Sequence, residues 1–187
     1  MVLASLIYFF KKELDLKRLI ITGIMVGLLM SSRNVFVIPY SIAFLFALRS
    51  RWIRFKQFAA LGLIAIVVFC FTFSPFLVGH FHSFMEMNPF LVQSTFLIPF
   101  EYTLGFVSMA MMFGFLCKTK TDVYFYSGIC LFISILIYFL YHIIQVGFYK
   151  TYFESIGDVS YFILSIPFLL YYMIVMKMEQ SDFPNLS

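Results

Sequence analysis

Apolar residues in this chain come in long unbroken runs rather than in alternation with polar ones. Residues 2–10 (VLASLIYFF) form the first run, too short for the roughly 20 residues that a bilayer crossing needs. They read as the end of a truncated N-terminal helix. A signal peptide is the competing assignment, but no basic region precedes the run and the following KKELDLKR is not a small-residue cleavage site. Residues 19–48 are apolar except for a break at Ser31-Ser32-Arg33-Asn34. Four further spans are predicted over 57–79, 102–117, 123–146 and 161–176. Residues 80–100 carry no Lys or Arg, and Glu86 is their one acidic residue. Only helices or closed barrels cross lipid, and barrel strands would alternate. The predicted fold is therefore an all-α polytopic membrane helix bundle. It has about four full spans, a short-helix hairpin and the truncated first helix, in one domain over 1–176 with a polar cytoplasmic tail at 177–187.

Composition supports that class. The chain has 187 residues, of which 63% are apolar and 12% charged, against a globular average of about 25% charged. Disorder requires low hydrophobicity and high net charge, so it is excluded. A soluble domain has too few polar side chains here to cover itself. The net charge of +4 would suggest nucleic acid in a soluble protein, but in lipid its placement sets orientation, and no nucleic-acid partner is expected.

Basic clusters sit at Lys11, Lys12, Lys17 and Arg18, at Arg49, Arg51, Arg54 and Lys56, at Lys118 and Lys120, and at Lys177. A single crossing by 19–48 would put the first two clusters on opposite sides. Two short helices turning at Ser32-Arg33-Asn34 put both inside, and the later loops then agree with the positive-inside tendency. Each arm of about 14 residues spans about 21 Å, less than the hydrocarbon core of about 30 Å. The turn should then be buried in the bundle. Cys70, Cys117 and Cys130 match no metal or disulfide spacing and are expected to be lone thiols.

Arg33 is the one basic residue expected at membrane depth, where a charge costs about 2.5–3.5 kcal/mol on insertion scales. Its guanidinium could fork onto phosphate oxygens, with Asn34 adding donors; snorkelling to the outer headgroups is the alternative. Gly23, Gly27 and Ser31 form a small-residue stripe, expected to let the two hairpin arms pack together. Pro39 should kink or relax the second arm. Ser134, Tyr138, Tyr141, His142 and Gln145 share one helical face, which should turn to the bundle interior. His142 there could carry a proton, or the stripe could only join helices. Asp158 precedes Tyr161 and can cap the last span, or hold a sugar hydroxyl or metal at the outer rim. His80, His82 and Glu86 fit no dedicated zinc spacing. Asn88-Pro89 reads as the start of a short interfacial helix. No Walker A, GxGxxG, GxSxG or HExxH motif occurs, so a pump subunit with its own ATPase site is excluded.

The order of GIMVGLLMSSRNVFVIPYSIAFLFALRSR, a long span ending in Ser74-Pro75-Phe76, and GDVSYFILSIPFLLYY resembles the C-terminal membrane half of bacterial GT-C-type glycosyltransferases. The corresponding positions are Gly23, Gly27, Arg33, Pro39, Arg49 to Lys56, Asp158, Tyr161 and Pro167. The resemblance implies a multi-pass protein of the bacterial inner membrane, acting in cell-envelope glycan assembly. It implies transfer of a sugar from a polyprenyl-phosphate carrier to an acceptor at the outer face. Arg33, Asn34, Tyr138, His142, Gln145, Asp158 and Tyr161 would bind substrate, and Arg33 would neutralise the carrier phosphate. The family's catalytic carboxylates lie in an early extracytoplasmic loop with no counterpart here, so catalysis by this segment alone is not expected. No cofactor is expected, and a divalent cation is not indicated. Partners would be the bilayer, the lipid-linked sugar and another membrane protein. The rival assignments are a small multi-pass accessory subunit and a transporter, the latter disfavoured because only one broken segment appears.

Overall fold

A computed structural model describes residues 1–11, 15–32, 34–86, 100–153 and 160–181. Among the described residues the chain is all helical and contains no strand. Helix α1 covers Val2–Lys11 and α2 covers Leu16–Ser32. A 3-10 turn, Asn34–Phe36, leads into α3, Val37–Arg49. Then follow α4 (Phe55–Glu86), α5 (Phe100–Leu116), α6 (Lys120–Val146), α7 (Phe148–Phe153), α8 (Ser160–Ile163) and α9 (Ile166–Ser181).

Among the described residues two helices are long and apolar enough to cross a membrane: α4 over Phe55–Pro75 and α6 over its 27 residues, each with a mean hydropathy of 2.3. At 1.5 Å per residue α6 is about 40 Å long. The other apolar helices, Val2–Lys11, Val37–Arg49, Leu104–Leu116 and Ile166–Met178, are shorter.

Two prolines shape the helices in opposite ways. A continuous helix through Pro167 would leave the Ile163 carbonyl without its donor and drive the proline ring against it. The chain breaks there instead, and the expected single span 161–176 becomes α8, a turn at Leu164-Ser165, and α9. The Ser165 amide and hydroxyl both bond the Phe162 carbonyl, at 3.2 and 2.8 Å. Pro75, by contrast, lies inside α4 without ending it. The carbonyl it deprives of a donor is that of Phe71, and the Ser74 hydroxyl donates to that oxygen at 2.8 Å. A neighbouring hydroxyl thus replaces the missing amide.

The small-residue stripe of α2 packs against α4, not against the other hairpin arm as the sequence suggested. A Cβ on Gly23 would stand 2.8 Å from Ile64, and one on Gly27 would stand 2.6 Å from the Ala65 carbonyl oxygen. Backbones this close need glycine. Helix α3 turns Tyr40 and Phe44 toward α1, where they meet the Ser5 hydroxyl and the Phe9 ring, and offers α2 no matching smooth face. It packs on α5 and α6 instead, with Leu45 against Gly114. The core that joins these layers is apolar and aromatic. Leu6, Phe9, Ile42, Ala43 and Leu61 are fully buried, and Phe9 meets Phe44 edge-on at 5.6 Å.

One end of the bundle, called basal here, gathers the ends of α1, α3 and α5, the starts of α2, α4 and α6, and basic residues beside them. Arg18 at the start of α2 donates to the Tyr8 carbonyl at 3.2 Å and lies over the Tyr8 ring. Lys120 at the start of α6 donates to the Phe10 carbonyl at 3.4 Å and sits 3.4 Å from the centre of the Trp52 ring. Arg49, at the end of α3, donates to the carbonyls of Phe115 and Cys117 at the end of α5. Each cation therefore meets the negative, unsatisfied end of a neighbouring helix. These contacts place Arg18 and Trp52 at the same end, with α2 and α3 between them in sequence.

Candidate functional site

The polar stripe of α6 is positioned by strong signals at both helix ends. At the start, the Thr119 hydroxyl accepts from the Asp122 amide, and the Asp122 carboxylate accepts from the Thr119 amide at 2.8 Å. This reciprocal capping box fixes where the helix begins. At the end, Gly147 has φ +89°, a backbone region that glycine enters without a Cβ clash. It turns the chain into α7, which folds back on α6. Buried Thr151 of α7 donates its hydroxyl to the Gly147 carbonyl at 2.9 Å.

Along α6, Ser127, Ser134 and His142 are all buried. Their spacings of seven and eight residues put them on one face. His142 lies about 33 Å along the axis from Lys120, so it marks the end of the bundle opposite the basal cluster. Tyr138 meets its imidazole edge-on, with ring centres 4.6 Å apart, and Tyr141 does so at 5.5 Å. Tyr141 also packs against Tyr102 of α5 at 5.3 Å. Phe139 of α6 packs against Phe162 of α8 at 5.1 Å, which brings the start of α8 alongside the stripe. The arrangement offers an imidazole and phenol hydroxyls, groups able to hydrogen-bond a polar ligand, inside a largely aromatic wall.

The structure brings Tyr138 and His142 together, and Tyr141 with them. Gln145 is exposed, two residues before the glycine that ends the helix. Asn34 lies in the 3-10 turn and Tyr161 in α8, as far as their backbones are described. Arg33 and Asp158 lie outside the described residues, as does Asn88-Pro89. Ser127 extends the stripe one further step; in the sequence it stands apart from the polar residues of the outer half that carry the pattern. The sequence pattern does not mark the Arg49 and Lys120 contacts at the basal end. Cys117 and Cys130 are buried and Cys70 is exposed; all three are free thiols. Among the described residues, no group of three or more His, Cys, Asp or Glu is placed to hold a metal ion.

Large apolar side chains stand exposed on nearly every helix. They include Leu63, Ile66 and Phe71 of α4, Met112 of α5, and Leu136, Leu140 and Ile144 of α6. On α4 only 6% of the most apolar stretch is buried, against 33% on α6. No family model matches the chain, and no curated protein or solved structure matches it. The class that stands, over the described residues, is an all-helical chain with two helices long and apolar enough to cross a membrane.

Proposed function

We propose that the chain is an integral, multi-pass protein of the bacterial inner membrane, with its basal end at the cytoplasmic face. The observation that supports this is the apolar belt, in which Phe71 is 77% and Ile144 79% exposed. Soluble monomers rarely expose apolar patches above a few hundred Å², whereas lipid tails accept such faces at no cost. The basic residues crowd one end of that belt, as the positive-inside tendency requires. In this reading α5 and α9 join α4 and α6 as spans, giving four in all.

Within that frame the function is that of the C-terminal membrane part of a GT-C-like glycosyltransferase. A sugar carried on polyprenyl phosphate binds at the outer end and passes to an acceptor of the cell envelope. Arg33 and Asn34 hold the phosphate, while Tyr138, His142, Gln145, Asp158 and Tyr161 contact the sugar and the acceptor. None of these residues is assigned as general base. The reading is supported by the motif order described above and by the imidazole–phenol cluster at the outer end of α6. The largely unburied face of α4 favours a second reading, a non-catalytic accessory subunit whose partner helix covers that face.

The test has two stages. Alkaline carbonate should leave the chain in the membrane fraction; release into the supernatant contradicts the membrane assignment. Purified protein should then retain a polyprenyl-phosphate sugar, and Arg33→Ala and His142→Ala should each weaken that retention severalfold. Equal retention by the variants, or none by the wild type, contradicts the transferase reading and leaves the accessory subunit.

A further inference from the structure

The fold-back leaves a gap, because α2 leans on α4 while α3 leans on α5 and α6. An open cleft of about 330 Å³ lies between the arms, lined by residues that include Val26, Met30, Val37, Phe44, Leu48 and Phe58. From Val37 to Leu48 it follows α3 for about 16 Å. The cleft offers almost no polar chemistry. The Tyr40 hydroxyl on its wall is already engaged, 2.6 Å from the Ser5 hydroxyl. A water-filled channel needs several polar partners per water, so the occupant must be apolar. An extended hydrocarbon chain follows such a groove.

The basal mouth of the cleft says what that chain carries. Leu48 and Phe58, the lining residues at that end, flank the turn that holds Arg49, Arg51, Arg54 and Lys56. The Arg49 guanidinium is committed to the Phe115 and Cys117 carbonyls. Arg51, Arg54 and Lys56 are exposed. Cations clustered at the cytoplasmic edge of a membrane segment recognise anionic lipid headgroups.

We propose that this cleft is a binding site for an anionic phospholipid of the cytoplasmic leaflet. One acyl chain lies between α2 and α3, and the phosphate sits among Arg51, Arg54 and Lys56. The proposal rests on the membrane assignment and is independent of the glycosyltransferase one. The shape and charge complement each other: a narrow apolar groove opens beside a cluster of exposed positive charges.

The test uses the full chain purified in mild detergent, with dioleoyl phosphatidylglycerol and dioleoyl phosphatidylcholine as probes. Retained lipid is counted by native mass spectrometry. The wild type should hold one phosphatidylglycerol about tenfold or more in preference to phosphatidylcholine. The triple variant Arg51→Gln, Arg54→Gln, Lys56→Gln should lose the preference. Ser41→Trp, which fills the slot from its wall, should lose the bound lipid with the cations intact. Far-UV circular dichroism confirms that both variants remain helical; if Ser41→Trp does not fold, Val37→Phe, from the same wall, is the substitute. Equal retention of the two lipids, or retention unchanged in the slot-filling variant, overturns the proposal. Release of the chain by carbonate overturns the membrane assignment and the proposal together, so the two failures are distinguishable.

Discussion

The contact between α2 and α4 makes a sharp demand on Gly27. A Cβ there would lie 2.6 Å from the Ala65 carbonyl oxygen and 2.8 Å from the Val68 Cβ. Both neighbours belong to a helix backbone or its root, so neither can swing aside. The helices must part by several tenths of an ångström. A radial gap of about 0.5–1 Å already forfeits a quarter to a half of each dispersion well, and this interface includes Gly23 and Ile64 one turn away. Overpacking of this kind costs about 1–3 kcal/mol. Alanine also gains about 1 kcal/mol of helix propensity over glycine, so the steric loss must exceed that gain to be seen. Gly62 supplies the control, because a Cβ there meets nothing within 4 Å. Gly62→Ala should be neutral or stabilising by up to about 1 kcal/mol. Gly27→Ala should fall about 1–3 kcal/mol below Gly62→Ala, and so from neutral to about 2 kcal/mol destabilised against the wild type, measured by denaturant titration in micelles with circular dichroism as the readout. If Gly27→Ala proves as stable as Gly62→Ala, the close packing of α2 on α4 is wrong.

Other substitutions probe single polar contacts. Ser74→Ala removes the hydroxyl that serves the Phe71 carbonyl and should cost about 1–2 kcal/mol. The double variant Ser74→Ala, Pro75→Ala restores the backbone donor and should recover most of that loss in the same titration. The Ser5 hydroxyl donates to the Val2 carbonyl at 2.7 Å, so Tyr40 must be the donor in their 2.6 Å bond. Ser5→Ala then strands a buried phenol and should cost about 1–3 kcal/mol, and Tyr40→Phe should cost less. Lys120→Met removes a cation from the face of Trp52, with an expected loss of about 0.5–1 kcal/mol. Trp52 is the sole tryptophan, so its emission should change on that substitution; an unchanged spectrum argues against the contact.

The helical class was legible because apolar runs without alternation leave few other folds. The end of α2 was legible too, since Ser31 and Ser32 interrupt the run and their hydroxyls bond back to the carbonyls of Leu28 and Leu29. What the Gly23–Gly27 stripe packs against was not legible. A smooth face specifies a close neighbour without naming it, and α3, which turns Tyr40 and Phe44 toward α1, offers no matching smooth face and leaves α4 as the one that fits. The break before α9 was missed because apolar residues continue through it; Ser165 and Pro167 carried the signal. On α6 the period of the stripe carried Ser134 and His142 into the interior, while Gln145 came too close to the helix end to follow. The basal contacts were hidden because a positive-inside count treats Arg49 and Lys120 as solvated charges, and it cannot see the carbonyl ends that receive them.

The central claim is that the helices run through a bilayer with the two basic clusters on one side of it. Exposed Lys17 and Arg51 can each be replaced by cysteine in a chain whose native thiols are changed to alanine. Sealed, oriented vesicles are then treated with a membrane-impermeant maleimide before and after permeabilisation. The account predicts that Lys17→Cys and Arg51→Cys label with the same sidedness. Labelling of one in intact vesicles and of the other only after permeabilisation contradicts it.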